Sequence, residues 1–483
     1  LRSVLAGRRL YLVTLALYAV SRLLLHAWGV RFDASYDWQH LHDVKLLQHR
    51  LWESLLYTHA FTPFINGLAG VVLKTSVAHS VAIYHAIFLG AGAVLTCSVA
   101  YLAAAFRLPR MVALGTAILF ACTPPVIYFE KFLHYEFLAA TLVTASAVLL
   151  HRAMQRPTWV RFFSFLLLCS LLAYVRTTFH LVWVVAAVGF AVFFRPERFR
   201  VIVASAVVPL LLIGALYAKN LYLFGFFGTS SMLGFNLAFV TTRQLSEQEL
   251  VRAIERGEVH PASWVSVYAP PQAYAEWVDL STQTGIPVLD RPLRGNGQPN
   301  YNHHAYIAVS KLRMQSNMAY LRTHRLRYLR TVLSGLRNFF RPTTLWHPSV
   351  ESTPHRANRA VLGGVERLYN QALHTFPIRP FGLYVFAILM LFVSAGRAAF
   401  RLLFRREIAD DTDRLSLFMA FNCFYVSVLS CAVTTAELCR YRLIIEAFVW
   451  VLGLSLLRDA AGPLARFAAA RRSAQSPTFA GEP

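Results

Sequence analysis

Long apolar runs alternate with short polar breaks over most of this chain. They lie near 10–30, 80–105, 110–128, 132–151, 160–176, 178–194, 199–219, 380–404, 415–437 and 440–458. A helix needs about 20 apolar residues to cross a bilayer, so the pattern predicts roughly ten crossings. The 160–194 region also reads as one kinked unit. The fold class expected is an all-α membrane protein, a polytopic transmembrane helix bundle with interfacial helices and an extracytoplasmic loop domain. Leu10–Val30 has the length and flanks of a retained first span rather than a cleaved signal.

The polar stretches have their own periods. In 31–66, Leu47, Leu51 and Leu55 recur every fourth residue, which predicts a short amphipathic surface helix ended by Pro63. Segment 242–312 is polar and rich in turn signals, with Trp264, Tyr268, Tyr274 and Trp277 offering a small core. Leu326, Leu329, Leu333, Leu336 and Phe340 then step by threes and fours among arginines. That is a basic amphipathic helix near 318–340, suited to acidic headgroups. The chain thus divides into 1–219, an N-terminal membrane module with the 31–66 loop; 220–379, an extracytoplasmic loop region; 380–460, the C-terminal membrane helices; and 461–483, an Ala/Arg/Ser-rich cytoplasmic tail.

Charge sets the orientation. Lysine and arginine number 47 against 24 aspartate and glutamate, a net +23. Only 15% of residues are charged, where a soluble domain carries about a quarter. Arginines cluster in every second connection: Arg8 and Arg9, Arg107 and Arg110, Arg152 and Arg156, Arg195 and Arg198, Arg397 and Arg401, then Arg458. By the positive-inside rule these face the cytoplasm, and so do both termini. The 31–66 loop and the long 220–379 stretch then face outward. Nucleic acid is excluded as a partner for so apolar a chain. The six cysteines have no metal-ligand spacing, so neither a zinc site nor a disulfide framework is expected.

The outer side also collects the unusual polar residues. Asp33, Asp37 and Asp43 follow the first span. Each alone reads as a loop cap; together at a membrane exit they offer a general base, with Asp33, closest to the exit, the first choice. Glu130, Lys131, His134 and Glu136 occupy a break between two spans, either as an ion-paired turn or as the lining of a mouth. Arg176 lies on the outer side, against the charge rule. Lys219 closes another span there, and Arg440, Tyr441 and Arg442 open the last one. Paired guanidiniums suit phosphate oxygens. His303–His304, two adjacent histidines without a carboxylate partner, are weak evidence for a metal.

Four stretches carry a resemblance. They are the acidic exit from the first span with His59–Asn66 (HAFTPFIN); TPPVIYFEKFLHYEFLAATLVTASAVLLHR; LYAKNLYLFGFFG; and RYR at 440–442. In this order the chain resembles the GT-C class of polytopic glycosyltransferases, in particular bacterial protein O-mannosyltransferase and lipid A aminoarabinose transferase relatives. The resemblance implies a GT-C-like bundle in a bacterial inner membrane and a polyprenyl-phosphate sugar as donor, with a glycan, lipid or protein as acceptor. It implies an acidic base among Asp33, Asp37 and Asp43. Arg176, Lys219, Arg440, Tyr441 and Arg442 become phosphate candidates, with His59, Glu130, Lys131, His134 and Glu136 also at the substrate. No cofactor beyond the lipid-linked donor is implied, and a divalent metal is not indicated. The competing readings are a transporter or lipid flippase, and a non-catalytic subunit of the same fold. A transporter would bury its ionisable groups at mid-membrane, whereas here they crowd the outer rim.

Overall fold

The computed structural model describes residues 2–38, 40–345, 353–374, 382, 384–405 and 410–475. Residues 476–483 of the expected tail, and 380, 381 and 383 of the expected 380–404 span, lie outside them. The described residues form helices and no strand, apart from isolated bridges Asp33–Phe132 and Leu293–Pro299.

The N-terminal half comprises α1 (Arg2–Ala27), α2 (Val44–His49), α3 (Leu51–Leu56), α4 (Phe64–Thr75), α5 (Ser80–Ala105), α6 (Arg110–Ala121), α7 (Pro124–Glu130), α8 (Tyr135–Gln155), α9 (Trp159–Val175), α10 (Leu181–Phe194) and α11 (Phe199–Phe224). The loop region holds α12 (Leu233–Ala238), α13 (Glu247–Glu255), α14 (Pro287–Asp290), α15 (Ala305–Thr323), α16 (Arg325–Phe339) and α17 (Thr353–His374). The C-terminal part is α18 (Tyr384–Phe404), α19 (Asp411–Val433), α20 (Leu438–Tyr441) and α21 (Leu443–Gln475).

Six described helices are long and apolar enough to cross a membrane. They lie in α1, α5, α8, α11, α18 and α19. Helices α6 and α7 make a seventh if their 58° bend is counted inside one span. The bend sits where Pro124 and Pro125 open α7, because proline lacks the N–H that would continue α6. Helices α9 and α10 are apolar but shorter. The run near 440–458 forms the first part of α21, which continues past 461 to Gln475; alanine and arginine there are strong helix formers. Six such helices suit a multi-pass membrane protein.

Helix α8 is the centre of the bundle and packs against α5, α9, α19 and α21. Its Ala139, Ala140 and Ala147 are buried, and small residues let neighbouring backbones approach closely. Large apolar side chains such as Leu12, Leu23 and Leu211 remain exposed on the outer helices, as a lipid-facing surface requires.

Two sequence expectations change in detail. The 31–66 loop carries two short helices rather than one, α2 and α3, with Arg50 outside helical geometry between them (φ −128°). Leu47 and Leu51 are still buried, which keeps the predicted face. In the long loop Tyr274 is buried with Trp277 packed nearby, but Trp264 and Tyr268 stay 50% and 47% exposed. Val267, Tyr301 and Tyr306 fill the core in their place, with Phe235 of α12 and Val309 of α15. The expected basic helix is α16, which leaves Leu326, Leu329 and Leu333 exposed while Phe339 is buried.

Candidate functional site

The site is built at the N-terminus of α8. His134 is the N-cap, and its Nδ1 accepts the Glu136 backbone N–H at 3.4 Å. Glu136 therefore falls in the first turn, where the helix dipole favours an acid. Its carboxylate is fully buried. A buried carboxylate needs cations around it. Arg176 Nη1 approaches it at 2.5 Å and Arg440 Nε at 3.3 Å, both at the same oxygen.

Each cation is placed by the end of a helix. Arg176 is the extended C-cap residue of α9. Thr62 fixes that end by donating to the Val175 carbonyl at 2.9 Å, and Arg176 Nε donates to Thr178 Oγ1 at 3.2 Å. Arg440 lies in α20, after a turn in which Glu437 adopts left-handed backbone (φ 56°). Tyr441 stands between the two cations. The Arg176 and Arg440 guanidinium carbons sit 4.3 and 5.0 Å from its ring centre. Such stacking holds both planar groups flat. Burial opposes both charges, but Glu136 favours that of Arg176, and Tyr441, Glu437 and Glu136 together favour that of Arg440, so both pKa values are raised.

Beside this cluster is a cavity of about 510 Å3. Arg176, Arg440, Tyr135 and Tyr441 line one end, with His40, Thr178 and Asn236. Ile65, Val175, Leu233, Leu429 and Val433 line the rest, together with Thr62, Thr229, Ser230 and Ser430. The lining thus joins fixed positive charge to apolar and hydroxyl-bearing side chains. A side chamber of about 60 Å3 shares Phe61, Asn236, Thr434, Arg440 and Tyr441 with it.

The other half of the predicted turn does something else. Glu130 receives Arg22 from α1, whose Nε donates to both carboxylate oxygens at 2.8 and 2.9 Å. Tyr18 also donates to it at 2.9 Å, and Lys131 Nζ stands 3.5 Å away. Lys131 in turn meets His85 Nε2 at 2.6 Å, and its burial lowers the pKa of its amine. Neither Glu130 nor Lys131 lines the cavity. The break between the spans is therefore an ion-paired turn at Glu130, while Glu136 sits behind two arginines that line the cavity.

The three aspartates take separate positions, and none lines the cavity or its side chamber. Asp33 is buried and pairs its backbone with the turn after α7: its N–H donates to the Lys131 carbonyl at 2.7 Å and its carbonyl accepts from Leu133 at 2.9 Å. Its Oδ1 accepts from the Ser35 N–H. Asp37 is exposed and accepts from Asn296 Nδ2 at 3.0 Å. Asp43 caps α2, accepting from the Lys45 and Leu46 N–H groups and from Gly295 N–H.

The remaining candidates also separate. Arg442 points its donors at Glu446, the Arg341 carbonyl and Thr343, at 2.9 to 3.0 Å, and does not line the cavity. Lys219 Nζ donates to the Thr58 carbonyl at 2.5 Å. His59 is buried between Ser231 Oγ (2.8 Å) and the Asn302 carbonyl (2.9 Å), joining the first loop to the long one. Burial pushes its pKa down to about 3, and likewise that of His42. His303 and His304 stack on each other, and no group of three metal-ligating side chains occurs among the described residues.

Three residues outside the predicted set complete the site. Arg294 reaches from the long loop and donates to the carbonyls of Trp38, Leu41 and Asp37 at 2.7, 3.0 and 2.9 Å. It shapes the segment that carries His40. His40 stacks on Trp38 and presents a ring whose Nε2 has no hydrogen-bond partner. Glu437 lines the side chamber. Its position three residues before Arg440 was the available sequence signal, whereas Arg294 lies in an ordinary R-G-N-G turn and had none. No family model, curated protein or solved structure matches the chain.

Proposed function

We propose that this chain is a membrane glycosyltransferase of GT-C-like architecture, moving a sugar from a polyprenyl-phosphate donor to an acceptor on the extracytoplasmic face. The observation that carries this reading is the pairing of Arg176 and Arg440, both held by Glu136, at one end of a cavity of about 510 Å3 whose walls are in part apolar. Such an end suits a phosphate, and such walls suit an isoprenoid. In this reading the short helices α9 and α10, the bent α6–α7 pair and the first part of α21 complete roughly ten crossings, with both termini cytoplasmic by the positive-inside rule.

The chemistry follows from charge. Phosphate is the leaving group, and it gains negative charge as its bond to the anomeric carbon breaks. Guanidiniums already fixed in place stabilise that charge without reorganising. Tyr441 stacks on both of them, and Glu136 offsets the repulsion between their charges.

The test is direct. Purified protein in vesicles is given a panel of polyprenyl-phosphate hexoses and pentoses, and release of polyprenyl monophosphate is followed. Release from at least one donor is expected, with loss in Arg176→Met and Arg440→Met. No release from any donor, together with no binding of polyprenyl monophosphate, would remove the reading.

A further inference from the structure

The side chamber differs in chemistry from the cavity it joins. Aromatic rings form nearly half of its lining: Phe61, Phe235, Phe239, Tyr268, Tyr301 and Tyr441. Glu437 lies among them. Of all the described residues lining the cavity and the chamber, Glu437 is the one carboxylate. Its backbone is left-handed (φ 56°), a conformation a side-chain-bearing residue adopts only when its surroundings hold it there. Hydrogen bonds hold the residues that lead into the turn. Thr435 Oγ1 donates to the Phe239 carbonyl at 3.1 Å, and the Ala436 N–H donates to Thr434 Oγ1 at 3.0 Å. The strained backbone sets the Glu437 carboxylate 3.2 Å from Arg440.

We propose that this chamber is the acceptor subsite, that it takes the hydroxyl-bearing edge of a carbohydrate, and that Glu437 is the base that removes the proton from that hydroxyl. The inference rests on the glycosyl-transfer reading above. A sugar presents C–H faces and O–H edges together, and aromatic rings beside a single carboxylate match both. At about 60 Å3 the chamber admits one edge of an acceptor rather than a second lipid-linked donor.

The step balances. The acceptor oxygen attacks the anomeric carbon and forms the new C–O bond. The bond from that carbon to the phosphate oxygen breaks, and its electron pair leaves with the polyprenyl phosphate. The hydroxyl proton passes to Glu437. Arg440 couples the two ends, because it stands 3.2 Å from Glu437 and 3.3 Å from Glu136. As Glu437 is neutralised, its hold on Arg440 falls, and the phosphate gains one negative charge at the same moment. The guanidinium charge is thereby released to the leaving group when it is needed.

The test uses the full-length protein in vesicles, with polyprenyl monophosphate as the binding probe and short-chain alkyl glycosides as acceptors. Glu437→Gln keeps the shape of the side chain and removes the base. The expected result is a loss of transfer by about 100-fold or more, with polyprenyl monophosphate affinity within about threefold of wild type. Tyr268→Ala, at a half-exposed ring, is expected to raise the acceptor KM and leave the donor KM unchanged. Asp33→Asn is assayed alongside. Full transfer by Glu437→Gln, with loss in Asp33→Asn, would overturn the assignment and leave the glycosyl-transfer reading standing. Loss of monophosphate affinity in Glu437→Gln, parallel to its loss of transfer, would also overturn it, since Glu437 would then only hold Arg440. Wild-type protein that neither binds the monophosphate nor releases it from any donor removes the underlying reading instead.

Discussion

Glu130 and Glu136 lie six residues apart, both fully buried and both held by arginine. They serve different ends. Glu130 is enclosed: Arg22 takes both its oxygens, Tyr18 donates to it, and it lines neither the cavity nor its side chamber. Glu136 is the back of an open wall, and its two arginines and the neighbouring Tyr135 line a cavity. The first cluster spends its charge on joining α1 to α7. The second leaves its cations facing space that an anion can enter. A buried ion pair alone therefore says little about function; what its cations face decides it.

The comparison breaks most sharply at Glu130. Glu130→Ala leaves Arg22 buried and unpaired, and losing one partner of such a pair costs about 3–5 kcal/mol. The expected outcome is a large drop in the melting temperature of the detergent-solubilised protein. Glu136→Ala should cost less, because water in the cavity can reach the arginines it leaves behind. Equal losses for the two variants would mean that the two clusters are alike. Replacing both partners, as in Arg22→Met with Glu130→Leu, should restore most of the stability.

The next effect belongs to ligand rather than fold. Arg440→Met and Arg176→Met each remove a charged donor from the cavity, a loss of about 2 kcal/mol. Polyprenyl monophosphate affinity should fall by roughly 30-fold in each. Folded Arg22→Met/Glu130→Leu protein should keep wild-type affinity. A parallel loss in that variant would show that the enclosed cluster also serves the ligand.

A pH dependence separates the loops from both clusters. His42 and His59 are buried at the junction of the 31–66 loop and the long loop, with Arg294 and Lys219 adding positive charge near His42 and Lys219 and His303 near His59. Their folded pKa values are about 3, below the ordinary 6.5, so protonation favours the unfolded chain. Their contribution is complete above about pH 6.5 and is lost as the pH falls toward 3. Near pH 5.5 each histidine should cost about 1.4 kcal/mol, read as a falling melting temperature. His59→Gln should flatten that slope. A slope unchanged in His59→Gln would place the titration elsewhere.

How much of this was legible in sequence depends on which force decides each feature. The long helices were legible because a bilayer demands length and apolarity, and both are written in one dimension. The break at Pro124 was harder, since apolar residues continue through it and only the prolines mark the bend. Arg176 and Arg440 stood out because cations on the outer side run against the charge rule. Arg442 shared that signal but not the site. Residues two apart on a helix point about 200° from each other, so Arg440 can meet Glu136 while Arg442 meets Glu446. The partner that separates them lies hundreds of positions away, where no local pattern reaches. The three aspartates were indistinguishable for the same reason, except that Asp43 directly precedes a helix and carried a cap signal.

That signal gives the smallest expected effect. Asp43 accepts from two N–H groups of the first turn of α2 and from Gly295 across the loops. Removing an N-cap side chain costs about 1 kcal/mol, and the lost contact to Gly295 adds to it. Asp43→Ala should therefore lower the melting temperature by a few degrees. Asp37→Ala, at an exposed position, should stay within about 0.5 kcal/mol of wild type. Asp43→Asn should recover most of the loss, since asparagine caps nearly as well. If Asp43→Asn instead abolished transfer while the protein stayed folded, Asp43 would act on the substrate, and the boundary between cap and site would need to be redrawn to include α2.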